Sequence, residues 1–484
     1  MRRSLKRLTI LSLPFALSGC VTFGENFEPG LGFDYVANRS GETIGKDTVW
    51  IQNTAQAAVV NQRVSQLLAS RYVSADSAVQ IALLNNKGLQ AAYAEIGLSV
   101  TELWQESLLE NPSLSVGYMG IGAARTIEGF IASNIIALMT RDRRLDVAEV
   151  RVMQAKLRAV ERTLSLATQT RQAWVEAVAA WESVGYLNRA KTAADAAAEL
   201  AAELGRTGAI PRPEQAREQA FYAEITGQVA EARLSARLAK ERLIRLMGVW
   251  GRSLDFEVPN ALPDLPGSLR NQNSIEAQAL QNRVDLQVAK LELDALARSY
   301  GLTQATRYVS DLELAAGLEL EQEIEEEEDG GETESNKLSG AVEVSFQIPI
   351  FDSGQARLRR AEFAYLRAAN LLAEKGINIR SEARSAHQAY RSTHEIARHY
   401  RSSVIPLSRI INEEAVLTYN AMLTSPFNLL ADARGAINSN ILFLNAKRSF
   451  WLADAGLTAA IYGGGGAAEA GGEVEMAESG GAEH

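Results

Sequence analysis

The sequence predicts a mainly α-helical, internally duplicated chain in which long helices form a coiled-coil barrel and four β-strands contribute to a membrane β-barrel. Three observations predict this class. Long stretches lack proline and therefore favour very long helices. Two segments match at a fixed offset along the chain. Short segments alternate strictly between apolar and polar residues, as half-exposed strands do.

Residues 1–19 resemble a lipoprotein signal peptide. Four basic residues precede the apolar run Leu8–Leu17, which is too short to cross a bilayer as a helix. The run ends at Leu17-Ser18-Gly19-Cys20, which resembles the lipobox where bacterial lipoproteins are cleaved and acylated, and Cys20 is the single cysteine. We therefore predict Cys20 as a lipid anchor that carries palmitate. Val21 replaces the aspartate that usually retains lipoproteins at the inner membrane, so the outer membrane is the expected location.

The mature chain is acidic. Removing residues 1–19 leaves 49 − 4 = 45 basic residues against 59 acidic ones, a net charge of −14. Nucleic acid is therefore not an expected partner, because its phosphates attract basic surfaces. The sequence has no phosphate-binding glycine loop, nucleophile elbow or paired carboxylates in a plausible cleft. We predict a protein that is not an enzyme and has no cofactor or metal site.

The chain consists of two related halves. Ser77–Glu95 aligns without a gap to Ser274–Glu292, with eight identities in 19 positions at an offset of 197. A repeat of this kind indicates that one structural unit is used twice. The predicted division of the mature chain is an N-terminal equatorial segment at 20–74, a first repeat at 75–250, a linker at 251–273, a second repeat at 274–462 and a disordered tail at 463–484.

Each repeat is expected to contain a hairpin of two very long helices. Between Asp146 and Leu204 there is no proline and one interior glycine, which allows a helix of about 90 Å. Apolar residues in this stretch recur at three-and-four spacing, which is the coiled-coil signature. Proline-bearing breaks predict the hairpin tips at about 205–214 and 420–432.

Strands are predicted at about 112–138 in the first repeat, and at about 307–321 and 338–350 in the second. In the second repeat Asp311, Glu313, Glu319 and Glu343 alternate with apolar residues. In a soluble sheet the apolar face would cover a core, whereas in a membrane barrel it would face lipid and the acids would face the lumen. The export signal and the long helices favour the barrel, whose acidic lumen would prefer cations.

Four strands are too few to close a water-filled barrel, because an open edge in lipid would expose unpaired backbone groups. Three chains would supply twelve strands, a number within the range of outer-membrane barrels. The acidic run Glu321–Glu334, with nine carboxylates in 14 residues, is expected to be a disordered, solvated loop between the last two strands.

Four motifs resemble the TolC-like outer membrane factor family, also called outer membrane efflux proteins, of the lipoprotein type. They are Asn85–Gln105 followed by Asn111-Pro112-Ser113-Leu114, the turn Pro349–Arg357, and the two tips Gly208–Arg217 and Tyr419–Asp432. The resemblance extends over Val73–Tyr462. The first repeat departs from it, because Leu138–Arg144 stands where a Pro-x-Phe-Asp-x-Gly turn would be expected.

The resemblance implies a homotrimeric, twelve-stranded, passive exit duct in the outer membrane, which works with a periplasmic adaptor and an inner-membrane efflux pump. It implies an entrance gate at Asn428 and Asp432, and Asn428 and Ala431 stand at the positions where the resemblance leads us to expect aspartates. It implies that the adaptor docks on tip residues, namely Gly208, Ile210, Pro211, Arg212, Thr424, Ser425, Pro426 and Phe427.

Three alternatives remain open. Two belong to the same family, heavy-metal cation efflux and type I secretion of polypeptides. The third is a non-conducting periplasmic lipoprotein in which coiled coils act as a spacer.

Overall fold

The computed structural model describes residues 30, 32–121, 124–270, 274–309, 311–326, 332–421, 423–424 and 426–464. The signal peptide, Cys20, Ser425, the centre of the acidic run and all but the first two residues of the predicted tail lie outside the described residues. Within the described part, eleven α-helices and four β-strands confirm a mainly α chain with a small β part.

The elements follow the same order in both halves of the chain. Two helices come first, α1 (Phe33–Ile44) and α2 (Thr54–Leu68). The first repeat then contains α3 (Ala75–Asn85), α4 (Lys87–Ser107), β1 (Ser113–Ile121), β2 (Ala124–Asn134), α5 (Ile135–Arg206) and α6 (Arg212–Met247). The second contains α7 (Ile275–Asn282), α8 (Val284–Ala305), β3 (Leu312–Glu326), β4 (Glu332–Phe346), α9 (Gln355–His399), α10 (Ile405–Asn420) and α11 (Pro426–Tyr462).

Helix α5 is the longest element, with 72 residues, or about 108 Å at 1.5 Å per residue. It begins earlier than the sequence pattern predicted. The side chain of Asn134 accepts a hydrogen bond from the Ala137 amide at 3.0 Å and so caps the helix at the last residue of β2. The predicted strand region therefore ends at Asn134 and not at residue 138. This direct junction explains why the first repeat needs no Pro-x-Phe-Asp-x-Gly turn.

The second long helix is not continuous, although the pattern predicted that it would be. Helix α9 is joined to α10 by one π-helical turn, Tyr400–Val404. Pro406 lies at the start of α10 and provides the physical cause. It has no amide hydrogen for the carbonyl one turn earlier, and its ring would collide with that carbonyl in a regular helix.

The four strands form one antiparallel sheet in the order β1-β2-β3-β4. Leu314 pairs with Val344 and Ala315 pairs with Glu343, so apolar residues of β3 and β4 share one face. Both strands lie closer to their hairpin than predicted, because β3 starts at Leu312 and β4 ends at Phe346. Pro349 has no amide hydrogen for a strand ladder, which is consistent with the early end of β4.

The acidic run is largely strand and not the disordered loop that we expected. Pairing continues to Glu326 and Glu332, so only residues 327–331 between the strands lie outside the described residues. The ladder is made by backbone hydrogen bonds, so pairing does not depend on the sign of the side-chain charges. Lys337 also pairs with Glu321 across the strands.

The short helices α4 and α8 stack end to end on the ends of the long helices α6 and α11. The side chain of Asn85 donates to the Gly248 carbonyl at 2.6 Å, and that of Asn86 donates to the Leu246 carbonyl at 2.9 Å, so the start of α4 caps the end of α6. Gly248 has φ +65°, and a Cβ there would lie 3.0 Å from the Asn85 carbonyl oxygen. Gly463 similarly lies against the start of α8, where a Cβ would be 3.5 Å from the Val284 amide nitrogen.

Residues 255–270 form an extended strap that crosses four helices. Helix α5 packs against α4, α6, α8 and α11, and α9 packs against α8 and α11. The strap is fixed by one side chain from each helix that it crosses. The contacts are Lys240 Nζ to the Phe256 carbonyl (2.7 Å), Glu182 Oε2 to the Leu262 amide (2.8 Å), Trp451 Nε1 to the Pro263 carbonyl (3.1 Å) and His394 Nε2 to the Pro266 carbonyl (3.0 Å).

Among the helices in the described ranges, none combines the length and the apolarity that crossing a membrane would require. In the same ranges, no group of three or more His, Cys, Asp or Glu side chains is arranged to hold a metal ion.

Candidate channel wall and entrance

The sheet has one apolar face that no part of the described chain covers. Its members are between 42% and 76% exposed, and they are Leu114, Val116, Tyr118, Ile127, Ile131, Leu314, Leu318, Leu338, Val342 and Val344. Register places these residues together, since Leu114 pairs with Ile131 and Ile127 pairs with Leu320. Monomeric soluble proteins rarely expose an apolar surface of this extent, so the face is a candidate contact with lipid or protein.

The opposite face carries carboxylates. Glu313, Glu319 and Glu343 share it, because Glu313 pairs with Ser345, Glu319 with Ser339 and Glu343 with Ala315. Asp311 lies one residue before β3 and has no partner in the ladder. The structure thus brings three of the four predicted acids onto one face and leaves the fourth at its margin.

Sequence reasoning missed Glu128, which lies on the same face. It pairs directly with Glu319 across β2 and β3. Like charges placed opposite each other destabilise a sheet by a few tenths of a kcal/mol or more, so this pair has a cost that folding alone does not explain. In the sequence, Glu128 alternates with the apolar residues Ile127 and Ile131, and this alternation indicates the polar face. The pattern was obscured because the apolar residue Phe130 also lies on that face.

Phe130 reaches the polar face because its partner is glycine. It pairs with Gly317, where a Cβ would lie 2.4 Å from the Gly129 carbonyl oxygen and 2.5 Å from Phe130 Cδ1. Such contacts are too close for any side chain at position 317. Gly317 therefore lets an aromatic ring fill the sheet face between two rows of acids.

Both edges of the sheet lack a partner strand within the described chain, since β1 and β4 each pair on one side only. The long helices also have exposed apolar side chains. Helix α6 exposes Leu234 and Leu238, and α10 exposes Leu407, Ile410 and Leu417. The described chain therefore exposes apolar side chains on α6 and on α10 as well as on the sheet.

The first hairpin tip is the turn between α5 and α6. Gly208 adopts φ +73°, which suits glycine, and the Ala209 amide donates to the Leu204 carbonyl at 2.8 Å, which closes α5. Pro211 is the N-cap residue of α6, and Arg212 is the first residue of that helix. Ile210 lies in the turn between them. The predicted docking residues of this tip thus form one surface turn.

The second tip lies between α10 and α11. Thr424 precedes α11, and its hydroxyl accepts a hydrogen bond from the side-chain Nδ2 of Asn428 at 3.3 Å. Pro426 and Phe427 are the first two residues of α11. Asn428 is exposed on the first turn, whereas Asp432 is half-buried one turn later. The two predicted gate residues therefore lie one turn apart on one helix.

A buried ion pair beside this tip was not predicted. Arg434 Nη2 of α11 donates to Glu218 Oε1 of α6 at 2.9 Å, and the side chain of Glu218 is only 4% exposed. The Arg434 guanidinium also lies 4.2 Å from the ring centre of Phe221. Glu218 Oε2 and Arg434 Nε are buried and have no hydrogen-bond partner in the described structure. The pair links the two hairpins and leaves part of its hydrogen-bonding capacity unused.

A second ion cluster joins the helices above the strap. Arg283 contacts Asp285 at 2.8 Å and also binds Glu382, and Lys375 lies 3.4 Å from Asp285. Burial alone would raise the pKa of Asp285, but the hydrogen bond and charge of Arg283 outweigh it and hold that pKa below the usual range. Burial, together with the charge of Asp285, raises the pKa of Glu161 on α5.

The described chain thus combines long helices, a four-stranded sheet with two different faces, and paired helical tips. No protein-family model matches the sequence, and no curated protein does. Solved structures do. A membrane protein from Pseudomonas aeruginosa aligns with a TM-score of 0.68 at 15% identity over 80% of this chain and 92% of its own.

Two further structures agree. The CmeC outer membrane channel of Campylobacter jejuni has a TM-score of 0.66 at 18% identity, with 81% of this chain and 86% of its own aligned. The outer membrane protein VceC of Vibrio cholerae has a TM-score of 0.66 at 16% identity, with 81% and 97% aligned. The chain has the fold of these TolC-like outer-membrane channels, as the sequence motifs predicted.

Proposed function

We propose that this protein is the outer-membrane channel of a tripartite efflux system and acts as a passive exit duct. The observation that carries the proposal is the sheet, which exposes apolar residues on one face, carboxylates on the other, and an unpaired strand at each edge. In a barrel wall the apolar face meets lipid, the carboxylates meet water in the lumen, and each edge pairs with another chain.

Closure of this wall requires further copies of the chain. Strands β1 and β4 run in opposite directions, so β4 of one copy placed beside β1 of the next continues an antiparallel ladder. Three copies give twelve strands, a number found among outer-membrane barrels. The same arrangement covers the leucines on α6 with those on α10. A homotrimer satisfies both the backbone edges and the apolar helix edges.

The helical end is the proposed entrance. The Arg434–Glu218 pair holds the hairpin of α10 and α11 against α6 and so favours a closed tip. A periplasmic adaptor docking on the tip residues from Gly208 to Arg212 and from Thr424 to Phe427 would supply differential contacts that favour opening. The chain itself performs no chemistry in this scheme, so the energy for transport comes from an inner-membrane pump.

The anchor is a separate proposal that rests on the lipobox at Cys20. Acylation would fix the N-terminus to the inner leaflet of the outer membrane, and β-strands would then anchor the same protein a second time. Labelling with a palmitate analogue should mark the wild-type protein and leave the Cys20→Ala variant unmarked. Labelling of that variant would exclude this site.

The proposed cargo is cationic or neutral. Carboxylates on the lumen face, present in three copies, create a negative field that attracts cations. Drugs, heavy-metal cations and secreted polypeptides are the three candidate substrate classes. A deletion strain scored for sensitivity to metals and to drugs, and for loss of a secreted polypeptide, separates them.

Conductance of the purified protein in planar bilayers tests the duct directly. We expect discrete channels and recovery of the protein from outer-membrane fractions in a heat-modifiable form. A soluble, acylated protein that never conducts would refute the duct and support the spacer alternative. Reversal potentials in asymmetric KCl test the lumen charge, and anion preference would exclude the lumen-facing assignment of the acids.

A further inference from the structure

A short arginine motif occurs once in each repeat, at the point where the strands give way to a long helix. It reads Arg141-Asp142-Arg143-Arg144 in the first repeat and Arg357-Leu358-Arg359-Arg360 in the second, at an offset of 216. The first copy is used internally. Arg141 donates to the Ser107 carbonyl at 2.9 and 2.5 Å, and Arg144 forms an ion pair with Glu106 at 3.2 Å.

The second copy has lost these acceptors. When the alignment at offset 197 is continued, Glu106 corresponds to Thr303 and Glu110 corresponds to Arg307, so a carboxylate is replaced by a further arginine. Within the described residues Arg307 and Arg357 have no carboxylate at ion-pair distance. The same holds for Arg360, and both Arg357 and Arg360 are exposed.

Two of these arginines lie beside the glycine that precedes α9. Arg307 and Arg357 both approach Gly354, where a Cβ would lie 3.0 Å from Arg307 Cγ and 3.3 Å from Arg357 Nη2. Arg307 is positioned by a hydrogen bond from its Nε to the Ser353 carbonyl at 3.1 Å, and its guanidinium lies 4.8 Å from the ring centre of Tyr308. The nearby carboxylate of Asp352 accepts a hydrogen bond from the Gly354 amide at 2.8 Å.

An apolar rim borders this arginine pair on the side of the sheet. Phe351 is 100% exposed, and Ile348, Ile350 and Tyr308 are also exposed. Ile348 and Ile350 continue the alternation of Val342 and Val344 along the chain past the end of β4. The rim therefore extends the apolar face of the sheet to the arginines. An apolar surface thus lies next to the two guanidinium groups.

We propose that Arg307 and Arg357, with the rim of Tyr308, Ile350 and Phe351, seat the phosphate of an acidic phospholipid in the inner leaflet of the outer membrane. The inference rests on the proposed function, which places the sheet in that membrane. Guanidinium groups bind phosphate through paired, charge-assisted hydrogen bonds. Aromatic residues at the edge of an apolar band lie at headgroup level. A lipid satisfies both halves of this surface, because its acyl chains contact the rim while its phosphate contacts the arginines.

The protein purified in a neutral detergent provides the test. Phosphatidylglycerol and phosphatidylcholine are titrated separately, and the bound lipid is counted by native mass spectrometry. We expect the wild type to prefer phosphatidylglycerol, and the double variant R307Q/R357Q to bind it about thirtyfold more weakly, since each of the two basic residues near a lipid surface contributes about 1 kcal/mol. Arg391→Gln provides the matched control, because Arg391 is also an exposed arginine of α9 but lies far from the rim.

Three results would overturn the proposal. They are equal binding of the two lipids by the wild type, unchanged binding by R307Q/R357Q, and dissociation of that variant into single chains, which would assign the arginines to carboxylates of a neighbouring copy. If the glutamine variant does not fold, R307K/R357K keeps the charge and should retain the preference for phosphatidylglycerol. High salt should weaken that preference in the wild type, because exposed charges are screened.

Conductance separates this proposal from the proposed function. A protein that inserts and conducts in phosphatidylcholine bilayers, yet shows no preference for the acidic lipid, refutes only the proposed lipid-binding site at Arg307 and Arg357. A protein that neither inserts nor conducts refutes the duct itself, and the lipid-binding site with it.

Discussion

Replacing Arg434 by methionine should open the helical end of the proposed duct. The substitution keeps an apolar stem against Phe221 but removes the charge that holds Glu218. Glu218 then remains as a buried carboxylate whose one hydrogen bond to an arginine is lost. It can regain solvation only if α6 and α11 separate and water enters between the hairpins.

The size of the effect follows from the burial of the two partners. Removing one partner of a fully buried ion pair costs about 3–5 kcal/mol. Glu218 is 4% exposed but Arg434 is 31% exposed, so water already reaches one side and about 2 kcal/mol per chain is a better figure. If three tips open together, the closed state loses about 6 kcal/mol, which changes the closed-to-open ratio by roughly 10⁴.

Single-channel conductance and limited proteolysis at the tips measure this change. Arg434→Met should show longer and larger openings and faster cleavage between α10 and α11, and Glu218→Gln should change both in the same direction. Arg206→Met is the control, because Arg206 pairs with Glu203 on the surface of a single helix and links no hairpins. Channels of Arg434→Met that open no more than those of Arg206→Met would refute the role of the Arg434–Glu218 pair as a latch.

Three further predictions concern the sheet and the ion cluster around Asp285. Gly317→Val should prevent assembly of the sheet, because its side chain would collide with the backbone of β2; heat-modifiable mobility on gels should be lost, and a normal mobility would contradict the close contact. Glu128→Gln combined with Glu319→Gln should reduce cation selectivity in asymmetric KCl while it removes like-charge repulsion within the sheet, so an unchanged reversal potential would place these acids outside the lumen. Asp285→Asn should lower the melting temperature at neutral pH, because Arg283 holds the pKa of Asp285 below its unfolded value of about 3.9. That contribution to stability is fully present above the unfolded pKa and is lost as the pH falls through the folded pKa. The difference in melting temperature between the wild type and Asp285→Asn should therefore shrink below about pH 4. A difference that stays constant with pH would contradict this linkage.

The long helices and the two faces of the sheet could be predicted because both depend on short-range periodicity. The absence of proline from Asp146 to Leu204 is sufficient to predict most of α5, and a period of two is sufficient to place Glu313, Glu319 and Glu343 together. The exact junctions could not be predicted in this way. A single cap at Asn134 and a single proline at position 406 decide where one element ends and the next begins.

The latch could not be predicted, for a different physical reason. Arg434 and Glu218 are 216 residues apart in the chain, and neither breaks the polar pattern of its own helix. Glu218 becomes buried only where α5, α6 and α11 come together in the folded chain. Glu128 is an intermediate case, because its alternation was present in the sequence but Phe130 obscured it, and pairing with β3 was needed to establish its face.

The distribution of contacts along the second long helix limits where the entrance can move. Above the π-helical turn at Tyr400–Val404, α9 is tied by His394 to the strap and by Lys375 and Glu382 to the buried ion cluster. Below the turn, α10 buries a single residue, Ala415, and packs mainly on α11. Single π-helical turns inside α-helices are also frequent at functional sites. Bending at this turn would therefore cost little of the packing above it, so release of the latch can open the tip while the strap and the wall keep their shape.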